Sequence, residues 1–131
     1  MNPVASILLD TTVLIDTLRN RNDRRRLLAS LVATGHLLAT STVNIAEVYG
    51  GVRPGEERAT RAFLSGLDVV PISTAIAERA GLLKADFRRQ GETRSIVDMI
   101  VAATALEHGF FVATDNVKDF QISGLSLFPV P

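Results

Sequence analysis

Between positions 96 and 106 every residue except Asp98 and Thr104 is apolar. A helix patterned in that way has no wet face, so it must be covered over most of its circumference. Ser95 stands where an N-cap belongs, and Asp98 follows in the capping-box position. Gly109 breaks the pattern, a short apolar strand is predicted over 110–114, and the loop after it carries Asp115, Asn116 and Asp119. At about 100° per residue Asp98 falls beside Val101, Ala102 and Ala105, away from any polar stripe. Its carboxylate therefore either folds back on the helix N-terminus, where it is mildly stabilising, or points into a cavity.

The rest of the chain explains what can cover such a helix. Residues 4–9 form a short apolar run without helical period, ending on Asp10, which reads as a buried strand of a parallel sheet. Helices are expected over 11–20 and 22–34, the second closed by Gly35. A strand over 36–40 is followed by a helix that Thr42 can cap, stopped near Val52 by Gly50, Gly51 and Pro54. A helix over 55–67, a strand over 69–72 and a long amphipathic helix over 74–90 lead to the buried helix. A last strand over 125–130 suits a sheet edge, given Pro129 and Pro131. Strands alternating with helices imply right-handed crossovers and a mainly parallel sheet covered on both faces. The reading is one α/β domain over 1–131, of a size that supports a single core.

Composition narrows the function. Lysine and arginine balance aspartate and glutamate at 14 each, so no global field draws the chain to nucleic acid or membrane, and any such attraction is local. The absence of cysteine removes disulfides, thiolate metal sites and cysteine nucleophiles. The first apolar run lacks a basic flank and ends after a few residues, so neither a signal peptide nor a membrane span is expected, and a soluble cytoplasmic protein is.

In an open parallel sheet the functional edge lies outside the carboxyl ends of the strands. Asp10 ends the first strand, and Thr40, Ser41 and Thr42 end the second, with Glu47 a turn further on. Thr114, Asp115 and Asn116 end the fourth, and Asp98 opens the helix leading into it. Glu47 lies roughly opposite the apolar stripe of Ile45, Val48, Tyr49 and Val52, and its helix alone leaves it undecided between solvent and site. Carboxylates that converge raise one another's pKa, and a divalent cation resolves the conflict. A set of oxygen ligands without histidine or cysteine suits Mg²⁺, with Mn²⁺ as a substitute. The chemistry implied is hydrolysis of a phosphodiester by metal-activated water.

Three segments in order, LLDTTVLID over 8–16, TSTVNIAEVYGG over 40–51 and IVDMIVAATALEHGFFVATDNVKDF over 96–120, give the chain a family likeness. It resembles the PIN-domain ribonucleases, and among them the VapC-type toxins of bacterial toxin–antitoxin pairs. The resemblance implies a PIN-like three-layer sandwich with Asp10, Glu47 and Asp98 as the first three acids of the site. Asp10 and Asp98 would be the direct Mg²⁺ ligands. Thr12 matches the position that supports the first acid, and Thr114 the hydroxyl beside the fourth. The fourth acidic position of many relatives aligns with the neutral Asn116. Asp119 lies three residues on, where a turn brings side chains back together, and is expected to supply the missing charge, while Asp115 points away. The resemblance also implies single-stranded RNA as substrate and a homodimer. A VapB-like antitoxin would lay its C-terminal segment across the groove, giving a heterotetramer or larger assembly.

Other residues are read more plainly. Arg19, Arg21, Arg24, Arg25 and Arg26 form a basic run expected to be a solvated helix face, with phosphate contact or pairing with an acidic partner as the functional alternative. Arg88, Arg89 and Arg94 form a second cluster. His36 and His108 receive no role, and Tyr49 is assigned to the core. An aspartyl-phosphate phosphatase would want an acid where Thr12 stands. A non-catalytic PIN module binding RNA or protein is the alternative that the neutral Asn116 permits.

Overall fold

The computed structural model describes residues 4–131. Five strands, β1 (Ser6–Leu9), β2 (Leu37–Ser41), β3 (Asp68–Val70), β4 (Phe111–Ala113) and β5 (Ser126–Phe128), form one sheet in the order β3-β2-β1-β4-β5. Every pairing is parallel. β1 is central, and the order reverses there, so the crevice of the sheet opens at the carboxyl ends of β1 and β4.

Alternation along β1 sends Ile7 and Leu9 to one face and Leu8 to the other. Ile7 and Leu9 pack with Val13 and Leu14 of α1 (Thr11–Leu18), Leu28 and Leu31 of α2 (Arg24–Ala33), Val48 of α3 (Thr42–Gly50) and Leu64 of α4 (Glu57–Ser65). Leu8 packs with Val112 and with Val101, Ala102 and Ala105 of α6 (Ile96–His108). Beyond α6, Met99 and Ala103 meet Ile76 and Ala80 of α5 (Thr74–Arg89). The result is the expected three-layer arrangement, with α6 covered by the sheet on one side and α5 on the other. That is why its sequence carries almost no polar face. No helix of the described residues is long and apolar enough to cross a membrane.

Element ends moved where caps and turns act. Asn20, Asn22 and Asp23 take φ of 54°, 54° and 55°, a left-handed turn that asparagine and aspartate tolerate, so α2 starts at Arg24 and not at position 22. The cap of α3 is Ser41, one residue earlier than Thr42, in a reciprocal capping box with Asn44. Both edge strands are shorter than expected, β5 ending before Pro129. The acidic loop after β4 contains a 3-10 turn, Val117–Phe120, that periodicity did not foresee.

The basic run is a solvated face only in part: Arg21, Arg25 and Arg26 are exposed, but Arg24 is not. Arg24 is 3% exposed, and its guanidinium reaches Asp115, the Pro131 main-chain oxygen and the neighbourhood of Asp16. Arg25 donates to the last carbonyls of α1, at 2.8 Å to Thr17 and 2.9 Å to Leu18. Only long-range packing could select which arginines are buried, because the run itself has no apolar period.

Candidate active site

Asp10 leaves β1 and caps α1, its Oδ1 accepting the Thr11 N–H at 2.9 Å. Its Oδ2 accepts the Thr114 hydroxyl at 2.8 Å, and the Asn44 amide lies 3.5 Å from Oδ1. All these partners are neutral. Burial pushes the Asp10 pKa up against the lowering by the Thr114 and Thr11 hydrogen bonds, and Glu47 and Asp115 push it further.

Asp98 is the third residue of α6, and its N–H donates to the Ser95 hydroxyl at 3.0 Å. The carboxylate stays within reach of the Ser95 side chain at the helix terminus. It faces the Asn116 side chain, whose amide is 3.5 Å away. Burial raises the Asp98 pKa, then Asp10, with smaller contributions from Asp119 and Glu47 and a lowering by Ser95. The fold has thus brought Asp98, Asp10 and Glu47 into one another's field.

Glu47 is exposed, yet its Oε1 accepts the Thr11 hydroxyl at 2.6 Å. Behind that bond stands Asn44, fully buried, which donates to Thr11 Oγ1 at 2.9 Å and accepts the Ser41 hydroxyl at 2.6 Å. A line of neutral groups therefore runs from the end of β2 to Glu47 and aims it at the mouth of the site. The sequence reading had overlooked Asn44 and Thr11. The Ser41-x-x-Asn44 spacing, a capping-box signature at the start of α3, was the signal that would have found the first.

Thr114 links the two sides of the pocket. Its hydroxyl donates to Asp10 and accepts the Asn116 N–H at 3.0 Å. Asn116 in turn donates to Asp119 Oδ2 at 2.7 Å, across the 3-10 turn. Asp119 meets the site through Asn116, and Arg94 Nε is 3.8 Å from its other oxygen. Asp115 turns to Arg24. Thr12 lies exposed on the first turn of α1, where its hydroxyl has no hydrogen bond among the described residues. Support for the acids comes from Thr11 and Thr114.

Among the described residues no ion pair involves Asp10, Glu47 or Asp98. Three carboxylates from β1, α3 and α6 share one edge with only neutral donors against them. All are hard oxygen donors, and two have pKa values raised, by burial first and by neighbouring carboxylates after it. That chemistry fits a hard divalent cation. No three acids of the described residues close a cage by themselves, so waters or substrate oxygens would complete the coordination.

The architecture of this edge has known counterparts. The sequence profile of the PIN domain matches residues 7–121. Ribonuclease VapC10 of Mycobacterium tuberculosis is 38% identical over 125 residues, covering 95% of this chain and 86% of its own. A toxin–antitoxin complex from Klebsiella pneumoniae contains a chain that superposes with a TM-score of 0.78 at 31% identity, covering 95% of this chain and 98% of that one. VapBC2 from Rickettsia felis, solved with a DNA fragment from its promoter, shares the fold with a TM-score of 0.80 at 23% identity, covering 93% of this chain and 96% of that one. The chain belongs to the PIN-domain family, and within it to the VapC type.

Proposed function

We propose that this chain is a divalent-metal-dependent endoribonuclease toxin that cleaves single-stranded RNA and is neutralised by a VapB-like antitoxin. The observation that carries the reading is the set of Asp10, Glu47 and Asp98 without a cationic side chain. A fold that gathers acids at one edge, Asp10 buried and Asp98 half-buried, and leaves them uncompensated is less stable for it, unless a cation arrives with function.

In this reading Asp10 and Asp98 hold Mg²⁺, or Mn²⁺ in its place. The ion would stabilise charge on the phosphodiester and supply water acidic enough to attack it. Thr114 keeps Asp10 oriented through Oδ2, and Thr11 with Asn44 keeps Glu47 at the rim, where it can accept a proton from the attacking water. Asn116 orients Asp98, and Asp119 fixes the Asn116 amide. Thr12, exposed on the first turn of α1, would meet RNA in this reading. The named relatives support ribonuclease action, and the Klebsiella complex supports an antitoxin partner. A homodimer, and a heterotetramer or larger complex with the antitoxin, extend the same reading.

The test is expression without a partner, comparing the wild type with Asp98→Asn. Growth arrest and RNA cleavage by the wild type alone are expected, with cleavage lost on chelation and restored by Mg²⁺ or Mn²⁺. Full activity in excess chelator would sink the mechanism. RNA binding without cleavage, indifferent to metal, would make the chain the non-catalytic module that a neutral Asn116 permits.

A further inference from the structure

Residues 114–119 close one side of the pocket, and most of their side-chain contacts are internal to the site. Thr114 donates to Asp10 at 2.8 Å and accepts the Asn116 N–H at 3.0 Å. Asn116 donates to Asp119 at 2.7 Å, and its amide lies 3.5 Å from Asp98. The Asp119 N–H donates in turn to the Asn116 carbonyl at 3.1 Å. Bonds of that kind let the loop and the acids shift together, because none ties the loop to the body of the fold. β4 holds the segment at one end and the buried Phe120 holds it at the other, while positions 115–118 between them are exposed.

Among the described residues, the hydrogen bond that reaches this exposed stretch from outside the site and its own loop runs from Arg24 Nη2 to Asp115 Oδ1. The donor is well fixed. Arg24 is 3% exposed, its Nη1 donates to the Pro131 main-chain oxygen at 2.6 Å, and its Nε lies 3.7 Å from Asp16. A guanidinium is planar and keeps its charge, so Nη1 bound to Pro131 also fixes where Nη2 points. The consequence falls on both neighbours of Asp115. Thr114 supports Asp10 and Asn116 faces Asp98, so a tether at the residue between them sets how far each reaches towards its acid. Asp16 meets the same guanidinium but stands on α1, outside the loop. It therefore separates a tether from mere cohesion.

We propose that Arg24 is a positioning residue for cleavage: through its bond to Asp115 it holds Thr114 and Asn116 in register with Asp10 and Asp98. The inference rests on the ribonuclease reading above and adds to it a residue that touches none of the three pocket acids.

The experiment compares wild type, Asp115→Ala and Asp16→Asn by two readouts. Substituting the buried Arg24 risks the fold itself, so the exposed end of the pair is changed, and circular dichroism checks folding. The first readout is single-turnover cleavage, with Mg²⁺, of a short RNA carrying a site that the wild type cuts. It is measured across protein concentration to separate rate from affinity. The second is amide hydrogen exchange at Asn116 and Asp119 in metal-free protein. Asp115→Ala should lower the saturating rate about tenfold, the scale of losing an outer partner, with RNA affinity unchanged. Its Asn116 and Asp119 amides should exchange faster, since both are bonded within the loop. Asp16→Asn should match wild type in both readouts even where its melting temperature falls.

A wild-type rate for Asp115→Ala would overturn the inference and leave the ribonuclease reading intact. So would a slower rate with unchanged exchange, because Asp115 would then act on Asp10 through its charge. A matching loss for Asp16→Asn would reduce the pair to general cohesion. Weaker RNA binding at an unchanged rate would make the pair a substrate contact and not a tether. A folded wild type that cleaves no RNA would overturn both readings, whatever the exchange shows.

Discussion

Asp10 and Asp16 stand on the two ends of α1 and are treated in opposite ways. Asp16 has the Asn22 amide at 2.9 Å and the buried Arg24 at 3.7 Å. Asp10 has only neutral donors, and its pKa is pushed up. The same residue type thus serves cohesion at one end and holds unmatched charge at the other. The difference teaches that Arg24 is spent on Asp16 and Asp115 and leaves Asp10 with its charge unmatched.

The largest effect expected is on chemistry. Asp10→Asn or Asp98→Asn should lower single-turnover RNA cleavage by more than about 100-fold, the scale that loss even of an outer partner can reach. Folding should not suffer, because asparagine still caps α1 at position 10. The folded pKa of each acid is raised above its usual value of 3.8, so the ionised forms are disfavoured in the fold. Each therefore subtracts stability above the raised pKa, and that subtraction fades as pH falls towards the usual value. Urea melts of metal-free protein should find either variant as stable as wild type or more so near neutral pH, with the gap closing in acid. A variant less stable at neutral pH would mean that the carboxylate matters mainly to its helix.

The other end of the comparison predicts the reverse, stability lost first. Arg24→Met strips a buried charge from Asp16, Asp115 and the Pro131 main-chain oxygen at once, and should cost about 3 kcal/mol in denaturant melts. Arg24→Lys should cost part of that, because one ammonium cannot span partners on different elements. A loss within error for Arg24→Met would erase the distinction between the two ends of α1.

Asn44→Ala should cost about 2 kcal/mol, since it leaves the buried Ser41 hydroxyl without its acceptor. It should also lower cleavage by releasing Thr11 and Glu47, and restoration by Asn44→Asp would argue that the acceptor matters more than the amide. The smallest effect is expected for Thr12→Ala, within about 0.5 kcal/mol of wild type because the side chain is exposed and unbonded. A loss in RNA affinity with stability unchanged would place its hydroxyl at the substrate. A stability loss as large as that of Asn44→Ala would mean that it supports the acids after all.

Much of this fold is local in origin and was legible without coordinates. The apolar round of α6, the left-handed Gly109 that ends it and the alternation of strands with helices all follow from periodicity and backbone preference. The edge on which Asp10, Glu47 and Asp98 meet follows in turn from a parallel sheet having its crevice at the strands' carboxyl ends. Local rules left Asp98 between cap and cavity, Glu47 between solvent and site, and the arginine run on a wet face. Contacts far apart in sequence decided each of these. Asn116 stands 3.5 Å from Asp98 on the pocket side, Thr11 holds Glu47 from 36 residues away, and Arg24 reaches 91 residues to Asp115 and 107 to Pro131. Whether a charge is buried depends on which partner the packed chain brings to it. A sequence fixes the backbone's local preferences, but that pairing exists only once the layers have closed.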